Sequence, residues 1–100
     1  DIIRNPEYRG EPQAEALYWV GIAYMEEGKD AEAHGFFERV FVGYDFYAHW
    51  ASLAYLNDAK VLVRMGKSAD AKKTLQECIK NGSFKDTDAF VDIQDMFSSL

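Results

Sequence analysis

A single cysteine, Cys78, excludes an internal disulfide framework and leaves no set of thiols to build a zinc site. The two prolines, Pro6 and Pro12, both precede residue 13. The rest of the chain is therefore free of the residue that most strongly interrupts helices. Positive charge is scarce: 11 Lys and Arg stand against 17 Asp and Glu, for a net charge of −6. That balance argues against an electrostatic nucleic-acid binder, which needs a basic face for phosphates. The longest apolar run, Ala16 to Met25, is closed by Glu15 and Glu26. It falls short of the roughly 20 residues of a membrane span, so direct membrane insertion is not expected. It also lacks the basic segment that precedes the apolar core of a signal peptide. The first residue is Asp1 rather than Met, so the chain is read as processed or cut from something longer.

What is present is a helix-forming chain of 100 residues, enough for one domain with a modest core. Hydrophobic residues make up 48% and aromatics 15%, too much for a disordered acidic tail. The chain repeats itself. Gly28, Lys29, Ala31 and Ala33 recur as Gly66, Lys67, Ala69 and Ala71, each 38 residues later. Phe37 pairs with Leu75, Phe41 with Ile79, Tyr24 with Leu62, Gly21 with Ala59 and Leu17 with Tyr55. Small positions match small ones and large positions match large ones.

The repeated unit reads as a helix–turn–helix. Leu17, Val20, Gly21, Tyr24 and Met25 recur at three- and four-residue steps and mark one helix face. Gly28 and Gly66 end this first (A) helix through a positive φ. Asp30 and Ser68 follow, and each is expected to cap the second (B) helix with its side-chain oxygen. Ala33, Phe37 and Val40 continue the apolar face, with Gly21 and Ala33 small where two helices cross. After Asn81-Gly82-Ser83, the residues Ala89, Phe90, Ile93, Met96 and Phe97 predict a further helix, with Asp86 or Thr87 as its cap.

These residues resemble the tetratricopeptide repeat. Gly21, Tyr24, Ala33 and Phe37 fill that family's small, aromatic, alanine and large apolar places, and Ala59, Leu62, Ala71 and Leu75 fill them in the second unit. The period of 38 exceeds the usual length of about 34. Asp45 replaces the family's proline after helix B, and the extra residues fall within Tyr44 to Ala51. Longer spacing with aromatics at the inter-repeat turn is similar to the repeats of bacterial envelope assembly proteins, such as the Tol–Pal coordinator and the outer-membrane assembly lipoproteins. That likeness implies a periplasmic or envelope setting. The resemblance implies an all-α domain of antiparallel helix pairs, stacked as a short right-handed solenoid. Residues 1–11 are then the tail of a preceding element, ended at Asn5-Pro6, where the residue before proline disfavours the helix. Residues 12–44 form repeat 1, 45–82 repeat 2, and 86–98 a C-terminal helix that covers the open end.

Motifs of chemistry are incomplete. Gly66-Lys67-Ser68 is the tail of a phosphate-binding loop, but the glycine required five residues earlier is Val61. Asp86, Asp88, Asp92 and Asp95 lack the ligand and glycine of a calcium loop, where Phe90 and Val91 stand. His34 and His49 are fifteen residues apart with no second ligand at helical spacing. Each reads as a partly exposed helix histidine. Cys78 occupies a buried register of helix B, and no serine stands in a nucleophile elbow. No catalytic residue, cofactor site or metal site is therefore assigned, and the chain is read as non-enzymatic.

Function is expected on the face lined by the A helices. In the first unit this face carries Glu15, Tyr18, Trp19, Ile22, Met25 and Glu26. In the second it carries Leu53, Leu56, Asn57, Lys60, Val63 and Arg64. From these, Tyr18, Trp19, Ile22, Met25, Leu56, Asn57, Lys60 and Arg64 are the candidate protein-binding residues. The aromatics supply contact area, and Lys60 with Arg64 would answer an acidic group on a bound peptide or protein segment. Two readings of the aromatics stay open: groove lining, or packing against neighbouring A helices or a C-terminal helix folded into the groove. Where chaperone-binding members carry a Lys and Asn clamp, this chain has Tyr18 and Ile22. Five aromatics, Phe41, Tyr44, Phe46, Tyr47 and Trp50, crowd the inter-repeat turn. Phe41 and Trp50 are expected between repeats, with some of the others on the surface. Those would offer a self-association patch, making a second copy of the chain the alternative partner. A third reading is an accessory domain of a larger envelope protein.

Overall fold

The structure is a computed structural model and describes residues 6–100, with side chains from Gly10 onward. Among these residues it contains five α-helices and no strand. They are α1 (Pro6–Glu26), α2 (Asp30–Gly43), α3 (Ala48–Arg64), α4 (Ser68–Lys80) and α5 (Phe90–Ser99). A single 3-10 turn, Gly82–Phe84, lies between α4 and α5. Consecutive helices pack on one another, α1 also meets α3, and α3 meets α5. The result is a slab of 46 × 30 × 17 Å, two helix layers thick.

Both helix pairs turn by the same device. Gly28 and Gly66 adopt φ of 78° and 79°. The Lys29 amide donates to the Tyr24 carbonyl at 2.9 Å and Gly28 to Met25 at 3.1 Å. Lys67 and Gly66 repeat this with Leu62 and Val63 at 2.8 and 2.9 Å. This bond pair satisfies helix-end carbonyls that would otherwise be orphaned, and only glycine enters that φ without strain. The turn is so short that the next helix begins at once. Lys29 and Lys67 therefore occupy the cap positions, and neither makes a side-chain cap bond. The expected capping by Asp30 and Ser68 does not occur, because both residues are already helical. Asp30 still favours α2 through its charge in the first turn.

Two boundaries differ from the sequence reading. Helix α1 starts at Pro6 rather than near residue 12 and runs through Pro12. Pro12, inside the helix, has no amide to donate to the carbonyl four residues earlier. The reading of Asp1 to Arg4 as the tail of a preceding helix lies outside the described residues. At the other end, α5 starts at Phe90, and neither Asp86 nor Thr87 caps it. The Thr87 hydroxyl instead donates to the Phe84 carbonyl at 2.7 Å. Phe84 is buried edge-to-face against Tyr55, ring centroids 5.5 Å apart, so residues 82–89 are drawn back onto the core.

The core follows the 38-residue register. Ala33 and Ala71, Phe37 and Leu75, Val40 and Cys78 are all fully buried. The register extends to α5: Ala89 and Ile93 repeat Ala51 and Tyr55, and all four are buried. Thus α5 continues the apolar register of α3. At Gly21 an added Cβ would lie 2.7 Å from the Phe37 ring, so glycine is what lets α1 and α2 approach. The same register is Ala59 in α3 and Phe97 in α5. Phe97 is half-buried, and Lys72 Nζ lies 5.4 Å from its ring.

Candidate functional site

The A helices α1 and α3 run side by side, and their join is polar as well as apolar. Tyr18 is buried, and its hydroxyl accepts a hydrogen bond from Asn57 Nδ2 at 3.0 Å. Asn57 also donates to the Leu53 carbonyl at 3.0 Å. Burial raises the Tyr18 hydroxyl pKa, and the Asn57 bond opposes that shift. Leu56 is buried as well. Tyr18 and Asn57 therefore join the two repeats, and both, like Leu56, are buried rather than open. The reason is the close approach of α1 to α3, which seals the positions between them.

Arg64 is also engaged. Its guanidinium donates to the Met25 carbonyl at 3.2 Å and meets Asp30 Oδ1 at 2.8 Å as a charge contact, with no hydrogen bond aligned on that oxygen. It ties the end of α3 to the end of α1 and the first turn of α2. Lys60 is exposed and makes no ion pair among the described residues. Ile22 and Met25 are half-buried against the core.

Trp19 is the open part of this face, 52% exposed. Its ring lies edge-on to Tyr18 at 5.1 Å and to Trp50 at 6.3 Å. Trp50 is half-buried, 5.6 Å from Tyr18 and 4.7 Å from His49. Of the neighbouring aromatics, Tyr18 is packed and Trp19 is open to solvent. Trp50 packs between the repeats, as the sequence predicts, and is also the neighbour of the exposed Trp19. Trp50 precedes Leu53 by three and Asn57 by seven residues on one helix face. Around the turn, Phe41 stacks on Tyr55 at 4.1 Å and 14°. Tyr44 donates to Gln13 Oε1 at 2.9 Å, while Phe46 is 70% exposed.

A second polar join links α2 to α3. Asp58 is fully buried, and its Oδ1 lies 2.6 Å from His34 Nδ1. Its Oδ2 has no hydrogen-bond partner. Burial pushes the Asp58 carboxyl up to about 6, His34 opposes that shift, and Glu38 adds to it. His34 is half-buried, and its Nε2 lies 3.9 Å from Glu38 Oε2. The sequence reading found the histidine but not its carboxylate. Among the described residues, no three His, Cys, Asp or Glu side chains converge as a metal site. Burial pushes the Cys78 thiol up to about 12, which keeps it protonated and a poor nucleophile. A depression of about 560 Å³ lies away from the A-helix face, between Leu17, Arg39, Val42 and Tyr44 on the outer side of α1 and α2. Glu38 and Gly43 complete its lining.

A family model for the tetratricopeptide repeat matches residues 15–41 and 53–81, together more than half of the chain. The chain belongs to the tetratricopeptide repeat family. The two matched stretches are the two helix pairs, and the unmatched stretch between them holds the aromatic turn. Searches of curated proteins and of solved structures found no match. Tetratricopeptide repeats generally mediate protein–protein interaction, and the fold is typically a non-catalytic interaction module. No described helix is long and apolar enough to cross a membrane.

Proposed function

We propose that this tetratricopeptide domain is a non-catalytic adaptor that binds a peptide or protein segment along the face of its A helices. The observation that carries the reading is Trp19, a large ring held by Tyr18 and Trp50 yet half open to solvent. A rigid, partly desolvated aromatic is the kind of side chain on which binding energy concentrates. Ile22 and Met25 continue the apolar strip, and Lys60 supplies a charge toward its far end. Tyr18, Leu56 and Asn57 serve this surface from below, by fixing its shape. The 38-residue period and the aromatic turn support the narrower likeness to envelope-assembly members of the family.

The test is selection of peptides from a random display library on the purified domain. Selected peptides are then titrated against variants. Trp19→Ala should weaken them by about tenfold or more, as for an interface hot spot. Val42→Ser, on the outer side of α1 and α2, should change nothing. Binders indifferent to Trp19 and Lys60 would overturn the groove assignment.

A second reading, self-association, is favoured by two exposed apolar residues outside the groove, Val42 at 71% and Phe46 at 70%. Under it, the solution mass climbs with concentration, and Val42→Asp with Phe46→Ser returns it to a single chain. A mass constant across the range excludes it.

A further inference from the structure

Three half-buried aromatic rings of this domain carry a cation. Lys29 Nζ lies 5.9 Å from the Tyr24 ring, the Arg39 guanidinium 5.2 Å from Phe36, and Lys72 Nζ 5.4 Å from Phe97. Each cation lies within the range where the ring quadrupole attracts it. Among the described residues Trp19 and Trp50, like the exposed Phe46, have no such cation. Tryptophan is the best ring for such a contact, yet among the described residues no lysine or arginine covers either one. The charges nearest on α1 are of the opposite sign. Glu11 and Glu15 precede Trp19 by eight and four residues, so all three share one helix face, and both carboxylates are exposed. Lys60 is ten residues beyond Trp50, about 15 Å along α3. The chain as a whole carries −6.

We propose that the solvent-open side of the Trp19–Trp50 pair is a docking site for a cationic side chain, lysine or arginine, of the bound partner. This rests on the groove reading above and names the chemistry of its occupant. The ring quadrupole and the carboxylates of Glu15 and Glu11 act together on the same charge. With centroids 6.3 Å apart at 68°, the two indoles touch edge to face and leave no slot between them. The cation therefore rests on the outside of the pair. His49 already packs against Trp50 at 4.7 Å, so Trp19, the more exposed ring, provides the main contact. The polarity of the groove also orients the partner: its cation lies at the Trp19 end, and any acidic group lies toward Lys60.

The chain has two tryptophans, so the two indole N–H resonances report on this site directly. The probes are acetyl-Gly-Arg-Gly-amide and its uncharged counterpart acetyl-Gly-norleucine-Gly-amide, titrated at matched ionic strength because exposed charges are screened. The arginine peptide should shift both indole signals saturably, and the norleucine peptide should not. Trp19→Leu, read on Trp50, should weaken the arginine peptide about three- to tenfold. Glu15→Gln should weaken it too, without disturbing the remaining spectrum. An equal response to norleucine overturns the cation site and leaves the groove as an apolar anchor. Indoles silent to arginine, while display-selected peptides still bind in a Trp19-dependent way, overturn it as well and leave the groove reading standing. Silence together with selected peptides indifferent to Trp19 overturns both.

Discussion

Tyr18 and Asn57, 39 residues apart in sequence, are joined by a buried 3.0 Å hydrogen bond between the two A helices. The bond fixes the spacing of α1 and α3 beneath the exposed Trp19. Tyr18→Phe keeps the ring and removes only the acceptor, leaving Asn57 its bond to Leu53. The expected loss of stability is about 1 kcal/mol by urea unfolding, with helix content unchanged. A variant as stable as the parent would show that the bond contributes nothing net.

The close approach at Gly21 predicts a coupled pair. Gly21→Ala would drive a methyl into Phe37 and should cost about 1–3 kcal/mol, despite the better helix propensity of alanine. The second repeat solves the same register with Ala59 and Leu75. Adding Phe37→Leu to Gly21→Ala should therefore recover stability beyond the sum of the single changes. A double-mutant cycle measures this, and strict additivity would refute it.

Asp58 predicts a pH effect. Its carboxyl is raised from an ordinary 3.8 to about 6 by burial. A raised carboxyl means that the folded state binds the proton more tightly than the unfolded chain does. Its contribution therefore becomes more favourable as pH falls through about 6 toward 4, and is unfavourable above. Asp58→Asn removes this dependence. Relative to that variant, the parent should gain about 1 kcal/mol between pH 7 and pH 5. Urea midpoints of both proteins at the two pH values provide the check, and parallel changes would contradict it.

Arg64 separates structure from recognition. Its pairing with Asp30 is partly exposed, so Arg64→Ala should cost no more than about 1 kcal/mol. Because the guanidinium is already engaged, peptides selected on the parent should bind Arg64→Ala unchanged, while Trp19→Ala loses them. A loss of binding with Arg64→Ala, at intact helix content, would return Arg64 to the groove.

Local rules determined the helices and their turns from the sequence alone. Gly28 and Gly66 mark the turns because a positive φ is a property of one residue and its neighbours. Ala33, Phe37, Ala71 and Leu75 identify the buried faces because helical spacing brings them to one side whatever lies opposite. The repeat register carried this to the pairing of helices, since equal units stack equally, and it extends to Ala89 and Ile93. The tertiary structure alone decided which side chains of the A-helix face remain open. Tyr18 and Trp19 are neighbours with the same apparent claim on the groove. One is sealed by Asn57 and the other projects beside Trp50, because the depth of contact between α1 and α3 is set by packing of both helices together. Asp58 opposite His34, and Arg64 opposite Asp30, were out of reach for the same reason. Each pair joins residues more than twenty positions apart, and no local spacing rule brings such partners together.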